Sequence, residues 1–208
     1  MLYAGLDLGQ RQDHSAIAVV ERMNAYRAFE TPSLHSLIVR HIERAPLGMP
    51  YPQVVARVKE VVRAGIAEGG CALAVDATGV GAPVVDMLRG ALFDMRPLGC
   101  ELTAVSITGG DRERHAGGVW NVPKKDLVAG LQVLLERGEL QIARGLGHAG
   151  ALLKELTDVK AVMGVGGRIR MGADGAGQHD DLVIALALAC WRARRKQVGF
   201  GTRRLPGI

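Results

Sequence analysis

Cysteine, aromatic residues and long apolar runs are all scarce in this 208-residue sequence. The three cysteines, Cys71, Cys100 and Cys190, are odd in number and far apart, so they suit neither a disulfide framework nor a zinc-ligand pattern. A reducing cytoplasm fits them best. Aromatics make up 4% of the chain, too few for a platform on which successive bases of a single strand would stack. The apolar run Leu182 to Trp191 has about half of the roughly 20 residues needed to span a bilayer, and no basic stretch precedes apolar residues at the N-terminus. The chain therefore reads as neither membrane-spanning nor secreted. What is present, 48% hydrophobic and 23% charged residues, is the composition of an ordinary soluble domain and excludes disorder, collagen and coiled coil.

The formal net charge of +5 is unevenly spread. Six basic residues and no acidic one fall between Arg192 and Ile208, which leaves 20 basic against 21 acidic residues in 1–191. Basicity thus belongs to the end of the chain, and residues 197–208 read as a frayed basic tail behind a body of residues 1–196.

Hydrophobic patterning predicts strands at 2–8, 15–22 and 34–43, the first two as a hairpin. In the third, Leu34, Ser36, Ile38, Arg40 and Ile42 share one side, with His35, Leu37, Val39 and His41 on the other. A helix is expected from the Pro50-Tyr51-Pro52 punctuation to Glu68, then a strand at 71–76, a helix at 81–92 with Pro83 in its first turn, and a strand at 102–108. Residues 109–122 read as a polar, Gly-rich loop. Helices follow at 123–137 and 146–158, a hairpin between 161 and 172, and a final helix over 179–196. Antiparallel strands followed by crossovers predict an α/β fold, a mixed five-stranded sheet flanked by helices.

The acidic residues carry the chemistry. Asp7 ends the first strand just before Gly9, where a crevice can form at the carboxyl edge of a sheet. Asp76 repeats the arrangement before an Ala-Thr-Gly turn. On local grounds an Asp placed as Asp7 is usually a turn residue, and Asp76 is equally well a turn or capping residue. Gln178-His179-Asp180-Asp181 then leads directly into LVIALALACW, a helix apolar on all sides and so buried against the core. One or both of its aspartates would be caps on a bland reading. Their helix must nevertheless start near the sheet, within reach of Asp7 and Asp76. Carboxylates gathered there would repel one another unless a cation sat among them. Hard oxygen donors with no Cys or His cluster suit Mg²⁺ or Mn²⁺. Two such ions, roughly 3.5–4 Å apart, can serve an in-line phosphodiester hydrolysis.

Asp-Leu-Gly at 7–9 with Asp13 following, Val-Asp-Ala-Thr-Gly-Val-Gly at 75–81, Pro-Lys-Lys-Asp-Leu at 123–127, Leu-Leu-Lys-Glu-Leu at 152–156 and the His-Asp-Asp run at 179–189 together resemble the C-terminal nuclease domain of phage large terminase subunits. The resemblance covers about residues 3–191. It implies an RNase H-like, RuvC-related fold and metal-dependent cleavage of double-stranded viral DNA during genome packaging, with two divalent ions held by Asp7, Asp76 and the Asp180-Asp181 pair. It also implies Asp13 and His179 as second-tier candidates, and a terminase ATPase domain, small terminase subunit and portal as partners. Ile184 stands where the family often has a further Asp. A motor needs a phosphate-cradling loop with Gly-Lys, and this sequence has no Gly-Lys dipeptide, so translocation is expected from elsewhere.

For duplex backbone, the candidate contacts are Arg112, Arg114, Lys124, Lys125, Arg168 and Arg170, each of which is as readily a solvated surface charge. Two alternatives compete: a RuvC-like resolvase of four-way junctions, and a packaging adaptor whose acidic cluster is vestigial. A two-domain actin-like ATPase, suggested by Leu-Asp-Leu-Gly-Gln, is excluded by length.

Overall fold

A computed structural model describes residues 1–9, 13–23, 36–79, 81–98, 100–143, 145–163, 169–172 and 179–195, with backbone alone for 97–98, 160–163 and 169–172. The expected tail at 197–208 and Arg168 lie outside the described residues. Five strands, β1 (Leu2–Asp7), β2 (Ala16–Met23), β3 (Ser36–Arg44), β4 (Cys71–Asp76) and β5 (Cys100–Thr108), form a contiguous mixed sheet in the order β5-β4-β1-β2-β3. β1 pairs antiparallel with β2 and parallel with β4, as a hairpin followed by a helical crossover requires.

Three short strands widen this core to eight. β6 (Arg114–Ala116) and β7 (Val119–Pro123) continue beyond β5, and β8 (Leu140–Ile142) pairs parallel with β3. β6 and β7 occupy the stretch expected to be loop. Their hairpin turns at Gly117 and Gly118, both with positive φ, and every residue of β6 is exposed, so no apolar alternation marks it in sequence. The 161–172 hairpin forms as predicted, β9 (Lys160–Met163) antiparallel to β10 (Ile169–Gly172).

Helices cover both faces of the sheet. α1 (Tyr51–Ala67) and α2 (Gly81–Ala91) pack on one, burying Val54, Val58, Val62, Val84 and Leu88 against Ala4, Leu6, Leu73 and Val75. α5 (Asp181–Arg194) lies on the other, beside α3 (Lys124–Glu136) and α4 (Ala149–Asp158). All ten residues from Asp181 to Cys190 are buried. Burial of Leu182, Leu186 and Leu188 contributes about 2 kcal/mol each. The sheet face beneath α5 is built from small residues: Gly5, Ala16, Ala18, Ala72 and Ala74. Gly5 is the point of closest approach. A Cβ there would overlap the Ala185 carbonyl and come within 2.6 Å of the Ala189 nitrogen.

One register feature departs from the expected alternation. β2 and β3 slip between Val19 and Val20, where His41 and Val39 are the successive partners and Arg40 is the extra residue. The bulge transfers the later part of β3 to the other parity, so Ile42 joins Leu37 and Val39 in the core under α5. Arg44, two residues on, faces α5 as well.

Gly5→Ala should destabilise the fold by about 3 kcal/mol, because backbone rather than a flexible side chain must move to admit the methyl. Chemical denaturation measures this, and Gly65→Ala, whose Cβ would meet the Cys71 side chain instead of backbone, is expected to cost less.

Candidate functional site

Strand parity decides which carboxylates meet. In β1, Tyr3 belongs to the core under α5 and Leu6 to the opposite core, so Asp7 shares the face of Tyr3 and Gly5. In β4, Ala72 and Ala74 line the α5 side and Val75 the other, which puts Asp76 on the same face. Leu6 pairs with Val75, so the residue that follows on each strand is a carboxylate beside a carboxylate. Asp7 pairs with Ala16 on its other side, and Ala16 pairs with Arg44. One row of the sheet therefore reads Asp76, Asp7, Ala16, Arg44, and the first turn of α5 brings Asp180 and Asp181 over it.

The electrostatics follow from that row. At the spacing of neighbouring strands, about 5 Å, two carboxylates repel by about 3 kcal/mol in a medium of effective dielectric 20. Burial, and then the negative charges of Asp76, Asp180 and Asp181, push the Asp7 carboxyl well above its ordinary range, with Lys124 opposing them. Burial also raises Asp76, against hydrogen bonds from Thr78. Thr78 donates both its backbone N–H (2.8 Å) and its hydroxyl (2.5 Å) to Asp76 Oδ1, and its Oγ1 accepts the Ile107 N–H at 2.8 Å. The Ala-Thr-Gly turn thus locks one oxygen of Asp76. Gly81 completes the turn, for a Cβ there would overlap the Asp76 carbonyl.

Asp180 and Asp181 are separated by their partners. Asp180 accepts Lys124 Nζ on Oδ2 at 2.5 Å. Asp181 is forked by Arg44, Nε to Oδ2 at 2.7 Å and Nη2 to Oδ1 at 2.9 Å. The same Nη2 donates to Glu155, whose other oxygen accepts the Leu182 and Val183 N–H groups at 3.0 and 3.2 Å. Asp180 stands at the N-cap position but makes no side-chain capping bond. The cap of α5 is Glu155, supplied by α4. Burial and Asp181 push the Glu155 carboxyl up to about 7.

The remaining candidates are distributed around this centre. Asp13 is exposed and lines a small cleft of about 140 Å³ with Gly9, Ser15 and Tyr51. His179 meets His14 edge to face at 5.4 Å, and His14 Nδ1 lies 2.9 Å from the Ala45 carbonyl. Arg112 and Arg114 are exposed beside and on β6. Their hairpin is tied to the end of α5 by Arg195, which stacks on Trp120 at 4.2 Å and Trp191 at 4.0 Å and pairs with Glu113. Lys125 pairs with Asp111 at 2.7 Å, and Arg170 lies in β10. Arg44, Glu155 and Thr78 were not anticipated as parts of the site. Glu155 lies within the Leu-Leu-Lys-Glu-Leu motif, whereas Arg44 has no local signal, since its direction depends on the bulge.

Among the described residues, no three His, Cys, Asp or Glu side chains are grouped closely enough to hold one ion as they stand. Lys124 and Arg44 each hold one aspartate of the α5 pair. The donor chemistry fits a hard divalent ion, with four carboxyls on one face and Asp7 pressed by three like charges. Asp180 keeps Oδ1 outside its ion pair, whereas both oxygens of Asp181 are in the Arg44 fork.

A carboxyl raised in the fold stabilises the native state fully below its ordinary value of 3.8, and that contribution is lost as pH rises through the folded value. Without added metal, the melting temperature should therefore fall more steeply as pH rises above about 4 in the wild type than in Asp7→Asn. At neutral pH the variant should melt higher than the wild type, as followed by circular dichroism.

No protein-family model matches this chain, and no curated protein matches it. Solved structures do. The large terminase nuclease from thermophilic phage G20c with bound magnesium matches with a TM-score of 0.61 at 23% identity, over 92% of this chain and 81% of that one. A mutant nuclease domain of the large terminase subunit of bacterial virus Sf6, with manganese and beta-thujaplicinol, matches with a TM-score of 0.63 at 15% identity, over 91% and 87%. The HK97 bacteriophage large terminase matches with a TM-score of 0.54 at 18% identity, over 91% of this chain and 38% of that one. This chain has the fold of these large terminase nuclease domains, a mixed sheet flanked by helices.

Proposed function

We propose that this chain is a metal-dependent endonuclease that cleaves duplex DNA during viral genome packaging. The observation that carries the reading is the convergence on one sheet face of Asp7 and Asp76, from adjacent strand ends, with the Asp180-Asp181 start of α5. The fold supports it, since terminase nucleases with this fold have been solved with magnesium or manganese. Asp7, Asp76 and the Asp180-Asp181 pair would hold two Mg²⁺ or Mn²⁺ ions. Such ions, when bound, activate a water nucleophile and stabilise the leaving oxygen of the scissile phosphodiester.

The chain's own residues orient this chemistry. Thr78 fixes Asp76 Oδ1. Lys124, at the start of α3, balances Asp180 and offers a cation to an approaching phosphate. Arg112, Arg114, Lys125, Arg168 and Arg170 would follow the duplex backbone, with cutting that depends little on sequence. Asp13 and His179 flank the centre and would orient water. An ATPase domain would supply translocation, with the small terminase subunit and portal completing the packaging assembly in the host cytoplasm. Among the described residues no helix is long and apolar enough to cross a membrane.

Purified protein should nick and linearise supercoiled plasmid with Mn²⁺ or Mg²⁺ and do nothing in chelator. Asp7→Asn and Asp76→Asn should each slow cleavage by at least about 100-fold while remaining folded. A folded wild-type protein that leaves plasmid intact with both metals would remove the nuclease reading in favour of a packaging adaptor. Preferential cutting of four-way junctions over linear duplex would instead favour a resolvase.

A further inference from the structure

We propose that Arg44 is a positioning residue for the metal centre: it is the chain's own counter-cation for Asp181, with which a divalent ion must compete and which Glu155 retains on the far side. This inference rests on the metal-centre reading above, and its starting point is the bulge. The extra residue at Arg40 turns Arg44 onto the face of Asp7 and Asp76, in the same sheet row and separated from Asp7 by Ala16 alone. Without it, Arg44 would point to the α1 side of the sheet and Asp181 would have no cation.

The contact geometry is that of a holder. Arg44 engages both oxygens of Asp181 with two different nitrogens, so the carboxylate is fixed in plane as well as in place. The side chains of Arg44, Glu155 and Asp181 are 19%, 7% and 6% exposed, which removes the triad from the regime in which surface ion pairs count for little. Glu155 bonds Arg44 with one oxygen and caps α5 with the other. Because α4 supplies the cap, neither aspartate of the pair is spent on capping. Arg44 therefore has a second anion on which to remain if Asp181 turns toward an ion, and the helix start stays capped throughout.

Two consequences separate this role from a merely structural one. A fixed positive charge beside a ligand weakens binding of a dication, so neutralising Arg44 should tighten metal binding. The same change removes the cation that orders Glu155 at the start of α5, where Asp181 is placed, so cleavage at saturating metal should slow. A structural role alone would weaken both.

The test is calorimetric titration of the wild-type protein, Arg44→Gln and Arg44→Lys with Mn²⁺ in the absence of DNA, beside plasmid cleavage at saturating Mn²⁺. Arg44→Gln is expected to bind Mn²⁺ at least about threefold more tightly than wild type. Its cleavage is expected to be at least about tenfold slower. Arg44→Lys, which keeps the charge and loses the fork, should bind Mn²⁺ within about twofold of wild type yet cleave more slowly. Equal or weaker Mn²⁺ binding by folded Arg44→Gln overturns the proposal and leaves the metal centre standing. If Arg44→Gln shows no cooperative melting, Arg44→Lys decides: wild-type cleavage, or a larger change in affinity, overturns it. A wild-type protein that binds no Mn²⁺ at all removes the metal-centre reading and this inference with it.

Discussion

The closeness of α5 to β1 is the constraint on which the rest of the structure depends. An α-helix buried on every side can lie flat against a sheet only where the sheet offers small residues, and Gly5 with Ala16, Ala18, Ala72 and Ala74 provides that surface. α5 answers with Ala185, Ala187 and Ala189, all buried. The consequence is positional. Strands β1 and β4 end side by side, and the start of α5 has nowhere to go but over those ends, carrying Asp180 and Asp181 to Asp7 and Asp76. The placement of these carboxyls follows from how close two backbones can come.

That packing creates an electrostatic problem which the chain partly solves itself. Desolvation and mutual repulsion raise the Asp7 carboxyl, yet Lys124 and Arg44 each neutralise one aspartate of the α5 pair, and Glu155 takes over capping. The fold can therefore hold a dense carboxylate cluster with its own cations as counter-charges. Breaking one buried pair while leaving its partner costs more than the pair itself contributes, which is why such networks are all-or-none in design. On the reading proposed above, divalent ions would meet carboxylates already ordered by these pairs.

Much of this was legible in the sequence. The five core strands, the five α-helices among the described residues, the late hairpin and the burial of the LVIALALACW helix follow from periodicity, because each is a local pattern strong enough to survive its tertiary context. Asp7 and Asp76 could be singled out because each closes an apolar strand. β6, β7 and β8 are not legible, since strands of three to five residues at or next to a sheet edge are held by backbone pairing and leave little trace in side-chain alternation. The parity of β3 departs from simple alternation because of an inserted residue at Arg40 that no composition or spacing announces. Arg44 was hidden by that same residue. Glu155 lay in a recognised motif, but its role as the cap of a helix 27 residues away is a property of the assembled fold.

The central claim is that Asp7, Asp76 and the Asp180-Asp181 pair form a centre for divalent metal. The most direct measurement is a crystal structure of the protein soaked in Mn²⁺, with the ions located by anomalous scattering. The account predicts two manganese peaks bounded by Asp7, Asp76 and the first turn of α5, with Lys124 Nζ withdrawn from Asp180. Manganese bound only elsewhere on the protein, with Lys124 and Arg44 still paired to the two aspartates, would contradict it.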